Sequence, residues 1–334
     1  MATGVAIVLP FRNAAATLNE CVESILCQGH EGFELIAVDD HSNDVGVTIL
    51  SQFNDPRITL TQNPGKGLVD ALNHGVAQTD NEWIFRMDAD DRMHPDRLKI
   101  QLEYISRYKH VDCLAGRVRL FPESEVTDGM QRYVNWQNQL LTHRQMRDGL
   151  FQESPIAHPS VAFRKSLFTL VGGYRQGDFP EDYDLWLRFA ASGARFAKVP
   201  ETILDWREHP GRMTRTDPRY EPDAFDRLRV EHLCRDERVT MADKLIVWGA
   251  GRVTRKRVNK LVSKEITVHA WVDIDPKKIG QRINGAPVLA PDELSPRDGQ
   301  LVLVYINSHG AKAGISDYLN KRGFHEGRDY LLVG

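Results

Sequence analysis

A chain of 334 residues is long enough for about two domains. Lys and Arg total 43 against 46 Asp and Glu, and that near-neutral balance excludes a bulk attraction to nucleic acid. An apolar content of 41%, with no apolar run near the roughly 18 residues of a membrane span, excludes wholesale disorder and a transmembrane helix.

Met1-Ala-Thr-Gly leads into the apolar run Val5–Leu9 without a basic and then hydrophobic leader. Cys21, Cys27, Cys113 and Cys234 form no CxxC pair. Both features predict a cytoplasmic chain with reduced thiols. Val5–Leu9, ended by Pro10, has the pattern of a strand buried on both faces. A helix follows, with Thr17 and Glu20 spaced as a capping box and Leu18, Cys21, Val22, Ile25 and Leu26 on one face. Further strands are expected at Phe33–Val38, Ile58–Leu60 and Trp83–Met87, with a helix over Leu68–Val76. This alternation predicts a largely parallel sheet covered by helices.

In such sheets ligands bind beyond the carboxyl ends of the strands. Three strands run into polar or acidic loops there: Pro10-Phe-Arg-Asn13, Asp39–Asp44 and Asp88-Ala-Asp90-Asp91. Two carboxylates one residue apart on a turn can converge on a hard cation such as Mg²⁺ or Mn²⁺. An acidic turn that merely leads into a helix is the plainer alternative, and His94-Pro95-Asp96-Arg97-Leu98 is such a helix start. Further on, Pro180 precedes a helix whose first turn holds Glu181, Asp182 and Asp184.

A charge-rich stretch, 212–243, with a helix over Ala224–Arg235, leads to a boundary near Asp243. Residues 1–240 and 243–334 are thus expected as separate domains. The second opens with a strand, Lys244–Trp248, then Gly249-Ala-Gly251 and a helix over Arg252–Ser263. Strands are expected at Ile266–Val272, Leu301–Ile306 and Tyr330–Val333, with a helix over Ala311–Arg322. Thr254 stands where a GxGxxG fingerprint needs its third glycine, so the pattern does not license a bound dinucleotide. The helix after Gly251 carries Arg252, Arg255, Lys256, Arg257, Lys260 and Lys264 and no acid. A solvated basic face is the plain reading, and attraction to anionic lipid the sharper one.

Five or more of these motifs occur in order. Pro10-Phe-Arg-Asn13, Val38–Asp44, Gly65-Lys-Gly-Leu68, Arg86–Asp91, Ile156-Ala-His-Pro159, Gly172-Gly-Tyr174, Glu181–Trp186 and Arg207-Glu-His-Pro-Gly211 together resemble family 2 glycosyltransferases over about two-thirds of the chain. The resemblance implies an α/β architecture with a GT-A mixed sheet flanked by helices, while Ala270–Gly280 with Asn284-Gly-Ala-Pro-Val288 resembles the small Rossmann-like α/β domains appended to several sugar-modifying enzymes. It implies that Asp40, with Asp39, binds the base, while Pro10, Phe11 and Arg12 wall the nucleoside. Asp88 and Asp90 would hold the metal and diphosphate, with His209 a third ligand and Lys66 nearby. Asp182 would be the base of an inverting transfer, and Glu181 beside it would bind the nucleotide sugar. His158, Trp186 and Trp206 are open to either an acceptor-side or a packing role.

The activity so implied is transfer of a sugar from a nucleotide donor, UDP-linked, to a saccharide or lipid-linked saccharide in surface polysaccharide or lipopolysaccharide synthesis. Peripheral contact with the inner membrane face would suit it, and no nucleic-acid partner is expected. Two alternatives stay open: an oxidoreductase working through the second domain, and a non-catalytic nucleotide-sugar sensor.

Overall fold

The computed structural model describes residues 4–297, 299–306 and 310–334. The opening Met1–Thr3, expected to carry no leader, therefore lies outside the described residues. The chain divides into two compact units, Met1–Met146 with Pro155–Asp217, and Arg147–Ser154 with Pro218–Gly334.

The first unit is built on an eight-stranded sheet: β1 (Val5–Phe11), β2 (Phe33–Asp39), β3 (Ile58–Gln62), β4 (Trp83–Arg86), β5 (Arg92–Met93), β6 (Cys113–Phe121), β7 (Ala162–Arg164) and β8 (Phe196–Arg207). Their order is β3-β2-β1-β4-β7-β6-β8-β5. The first four in that order run parallel, and β7 is antiparallel to both β4 and β6. All of β1 is buried, as a continuous apolar run in a helix-covered sheet requires. Gly75 lets the helix Leu68–Ala77 press onto this sheet, because a Cβ there would stand 2.5 Å from Val8 Cγ1.

Arg97 opens the helix Arg97–Arg107 and is fully buried. Its guanidinium donates to the Pro159 carbonyl at 2.7 Å, the Arg86 carbonyl at 3.1 Å and Gln101 Oε1 at 3.0 Å. One buried cation thus ties three segments together, and burial pulls its pKa down to about 9.

The capping box expected at Thr17 and Glu20 does not form. Thr17 makes no side-chain cap to the helix Leu18–Leu26 and instead donates to the Ala89 carbonyl at 2.9 Å. Glu20 pairs with Arg92 and Arg207. Both side chains are engaged by tertiary partners, which outweigh the local cap.

The second unit holds β9 (Lys244–Trp248), β10 (Ala270–Val272), β11 (Arg282–Ile283), β12 (Ala286–Leu289), β13 (Gln300–Val304) and β14 (Tyr330–Leu332), ordered β11-β12-β10-β9-β13-β14. Apart from the β11–β12 hairpin its strands are parallel. Numbered along the chain, the parallel strands follow 3-2-1-4-5, an order found in doubly wound sheets. The strand expected from Ile266 begins only at Ala270. Thr254, Val258 and Leu261 are buried on the helix Arg252–Val262, whereas Val262 is 41% exposed.

This unit begins at Pro218, ahead of the boundary expected near Asp243. The helix Pro222–Leu233 is bound to it through Asp226–Arg257 at 2.8 Å and Asp223–Lys260 at 2.6 Å. All four cysteines are free, and among the described residues no helix is long and apolar enough to cross a membrane.

Candidate active site

The register of the parallel strands assembles one edge. Phe11 stands opposite Asp39, and Val8 opposite Arg86, so Asp88 follows β4 on the edge where Asp39 and Asp40 follow β2. The loops there are knitted together. Asp39 Oδ1 accepts the Ser42 N–H at 3.0 Å. Asp40 Oδ1 accepts Asn63 Nδ2 at 2.7 Å and the Gly67 N–H at 2.8 Å, leaving Oδ2 3.7 Å from Arg12 Nη1. Pro10 and Phe11 are buried in β1, while Arg12 is exposed. Lys66 is exposed on the loop before the helix Leu68–Ala77, and its N–H donates to Asp70 Oδ2 at 2.9 Å.

After β4 the chain turns through an acidic triad. Ligand atoms of Asp88, Asp90 and Asp91 lie within 4.8 Å of one another. Arg86, buried at the end of β4, forms an ion pair with Asp88. Asp91 is buried: Oδ1 accepts the Arg207 N–H at 2.7 Å, and Oδ2 has no partner. His209, just past β8, places Nε2 3.0 Å from Asp90 Oδ2. Burial pushes the Asp91 carboxyl well above the ordinary range, and the Asp90 and Asp88 charges push the same way. Asp88 is also raised, by burial above all, with Arg86 opposing.

Crowded like charges, an orphaned carboxylate oxygen and an imidazole at the rim are the donor set of a hard or borderline divalent cation. The residues therefore fit Mg²⁺ or Mn²⁺.

The first turn of the helix Glu181–Ala191 holds Glu181, Asp182 and Asp184. Burial pushes the Asp182 carboxyl up to about 7; the Glu181 charge adds to this, and more weakly Asp88, while the Tyr183 N–H and Arg86 oppose it. The influence of Asp88 and Arg86 puts Asp182 within electrostatic reach of the acidic turn. Asp182 Oδ1 accepts the Tyr183 N–H at 2.6 Å. Asp184, by contrast, is fully buried between Arg175 and Arg188, where it holds the helix in place.

His158 is buried with Nε2 2.6 Å from the Tyr174 hydroxyl, and burial holds its imidazole well below the usual range. Trp186 is fully buried and packs edge-on to His158, with centroids 5.8 Å apart. Trp206 lies under the Arg212 guanidinium at 4.4 Å. These two tryptophans are packing residues.

Asp39, Asp40, Asp88 and Asp90 therefore follow strands that end on one edge. Asn63, Arg86, Tyr174 and Arg207 are the participants that pattern reading passed over. Arg86 carried a legible signal, since a charge inside the buried run Trp83-Ile-Phe-Arg needs a partner. Asn63 carried none.

A family model described as Glycosyl transferase family 2 matches residues 6–171, and one described as C2185-like, N-terminal, matches residues 241–326. A putative glycosyltransferase, EpsE of Bacillus subtilis, is 28% identical over 73% of this chain and 86% of its own length. The UDP-Gal:alpha-D-GlcNAc-diphosphoundecaprenol beta-1,3-galactosyltransferase of Escherichia coli is 32% identical over 45% of this chain and 51% of its own. Among solved structures, S. aureus TarS 1-349 in complex with UDP-GlcNAc superposes with a TM-score of 0.57 at 16% identity, covering 70% of this chain and 67% of that one. That likeness gives the larger unit the GT-A fold. Through residues 6–171 the chain belongs to glycosyl transferase family 2, and it is a glycosyltransferase.

Proposed function

We propose that the chain is a metal-dependent, inverting glycosyltransferase that moves a sugar from a UDP-linked donor to a saccharide on a lipid carrier, in surface polysaccharide or lipopolysaccharide synthesis. The observation that carries this is the Asp88–Asp90–Asp91 triad at the sheet edge with His209 against Asp90, supported by the raised carboxyl of Asp182, which feels the Asp88 charge. The donor named for the E. coli relative and the ligand of TarS support UDP, and the relative's diphosphoundecaprenol substrate supports a lipid-linked acceptor. The setting would be cytoplasmic, with peripheral membrane contact.

Asp39 and Asp40, with Pro10, Phe11 and Arg12, would form the nucleoside end, with Lys66 near the diphosphate. Asp88, Asp90 and His209 would hold Mg²⁺ or Mn²⁺, which supplies positive charge for a leaving diphosphate. Asp182 then takes the proton of the acceptor hydroxyl as its oxygen attacks the anomeric carbon opposite the leaving group. A carboxylate poised near 7 accepts that proton better than one near 4 while still being substantially ionised at neutral pH. Glu181 acts beside it, its negative charge sustaining the high proton affinity of Asp182.

A panel of nucleoside diphosphates and nucleotide sugars, each melted with and without Mn²⁺, tests the assignment. Uridine species should raise the melting temperature only when Mn²⁺ is present, by mass action on the native state. Equal stabilisation without metal, or stabilisation by another nucleotide alone, would overturn the metal or the donor respectively.

A further inference from the structure

The second unit contains a cleft that the transfer reaction does not use. A cavity of about 510 Å³ opens between the helices Pro222–Leu233 and Arg252–Val262. Tyr220, Phe225 and Val253, the last 75% exposed, supply its apolar lining. Arg229, Lys256, Arg257 and Lys260 supply its basic lining.

Some of that charge is answered locally. Asp226 accepts from Arg229 and Arg257 at 2.8 Å each, Asp223 accepts from Lys260 at 2.6 Å, and Glu153 lies 3.7 Å from Arg229. Two ammonium groups are not answered. Lys256 is exposed and makes no ion pair among the described residues. Lys312 also makes none; burial pulls its pKa down to about 8 against the pull of Glu153, and its neighbours Arg229 and Arg257 lower it further. Beneath them the Tyr305 hydroxyl is buried without a partner, its ring 5.0 Å from the Arg257 guanidinium.

Four cations, Arg229, Lys256, Arg257 and Lys260, thus line with three carboxylates a space bordered by the rings of Tyr220 and Phe225. Lysine ammonium groups and arginine forks on one lining suit a ligand with several anionic oxygens on one centre, which a phosphate offers and a single carboxylate does not. The apolar wall suits the body attached to it, and the volume lies within the range of small-ligand sites.

We infer that this cleft is a second binding site, for a phosphate monoester or diphosphate, recognised by Lys256 together with Arg257 and Lys260. The ester is either a free metabolite or a lipid headgroup presented by a membrane, and both share this chemistry.

Inorganic pyrophosphate, titrated into the full chain in EDTA, is the probe, because removing divalent ions silences metal-dependent binding at the transfer site. Pyrophosphate should bind and raise the melting temperature. The pair Lys256→Gln and Lys260→Gln should weaken binding by about tenfold or more, as loss of two charge-assisted contacts implies. Should the pair fold poorly, Lys256→Gln alone should weaken it measurably, since that side chain is exposed and supports nothing else. Asp88→Asn with Asp90→Asn should leave it unchanged. Anionic phosphatidylglycerol vesicles that capture the protein and release it to pyrophosphate identify a headgroup; vesicles that fail to capture it identify a free ester. No pyrophosphate binding, binding indifferent to the lysine changes, or binding lost with the Asp88 and Asp90 changes would each overturn the site.

Discussion

Asp182→Asn separates catalysis from stability in opposite directions. Burial and the Glu181 charge raise the Asp182 pKa from 3.8 to about 7 in the folded chain. Each unit is worth about 1.4 kcal/mol, so about three units set a ceiling near 4 kcal/mol. Asp182 is partly exposed, and solvent screening reduces this to about 1–2 kcal/mol. Its folded pKa lies above its unfolded value, so between about pH 4 and pH 7 the folded protein holds a proton that the unfolded chain releases. Stability from this group therefore falls as pH rises through that window, and the whole cost is present above pH 7. Asparagine has the same shape and no charge. The variant should match the wild type in melting near pH 4 and exceed it at pH 8, measured in EDTA by calorimetry. Transfer should fall by about 10²- to 10⁴-fold, as loss of a general base implies, with donor binding nearly unchanged. Near-wild-type transfer would remove Asp182 as the base, and a melting difference independent of pH would refute the electrostatic reasoning.

Two further changes probe the metal site and its foundation. His209→Ala should raise the Mn²⁺ concentration for half-maximal transfer by about tenfold or more while leaving the fold intact, because its imidazole meets Asp90 at the rim; a superimposable metal titration would make His209 a mere partner of Asp90. Arg97→Met should cost about 3 kcal/mol, since the Pro159 and Arg86 carbonyls and the Gln101 amide oxygen lose a buried donor. Thermal melts report that loss, and a melting temperature within a degree of wild type would show the methionine stem repacking without penalty.

What the amino-acid pattern revealed, and what it hid, divides by the range of the interaction. Buried strands announce themselves as apolar runs, and parallel strands need helical crossovers, so the shared edge holding Asp39, Asp88 and Asp90 follows from patterns a few residues long. Thr17 and Glu20 show where such reasoning fails. Their spacing fits a local cap, yet each has a partner that only the fold supplies: Ala89 is 72 residues away and Arg207 187. A cap on an exposed helix end is worth about 1 kcal/mol, which a tertiary contact readily exceeds.

Arg86 lies between these cases. Its place in a buried strand demands an anion, so that some acid pairs with it could be inferred; that the acid is Asp88 depends on how β4 ends. The same pairing gives the site its electrostatic logic. Arg86 lowers the proton affinity of Asp88 and of Asp182 at once, so one buried cation limits the repulsion among acids that chemistry requires close together. A cation held in a buried strand thereby tempers the proton affinity of groups proposed to hold the metal and to accept the proton.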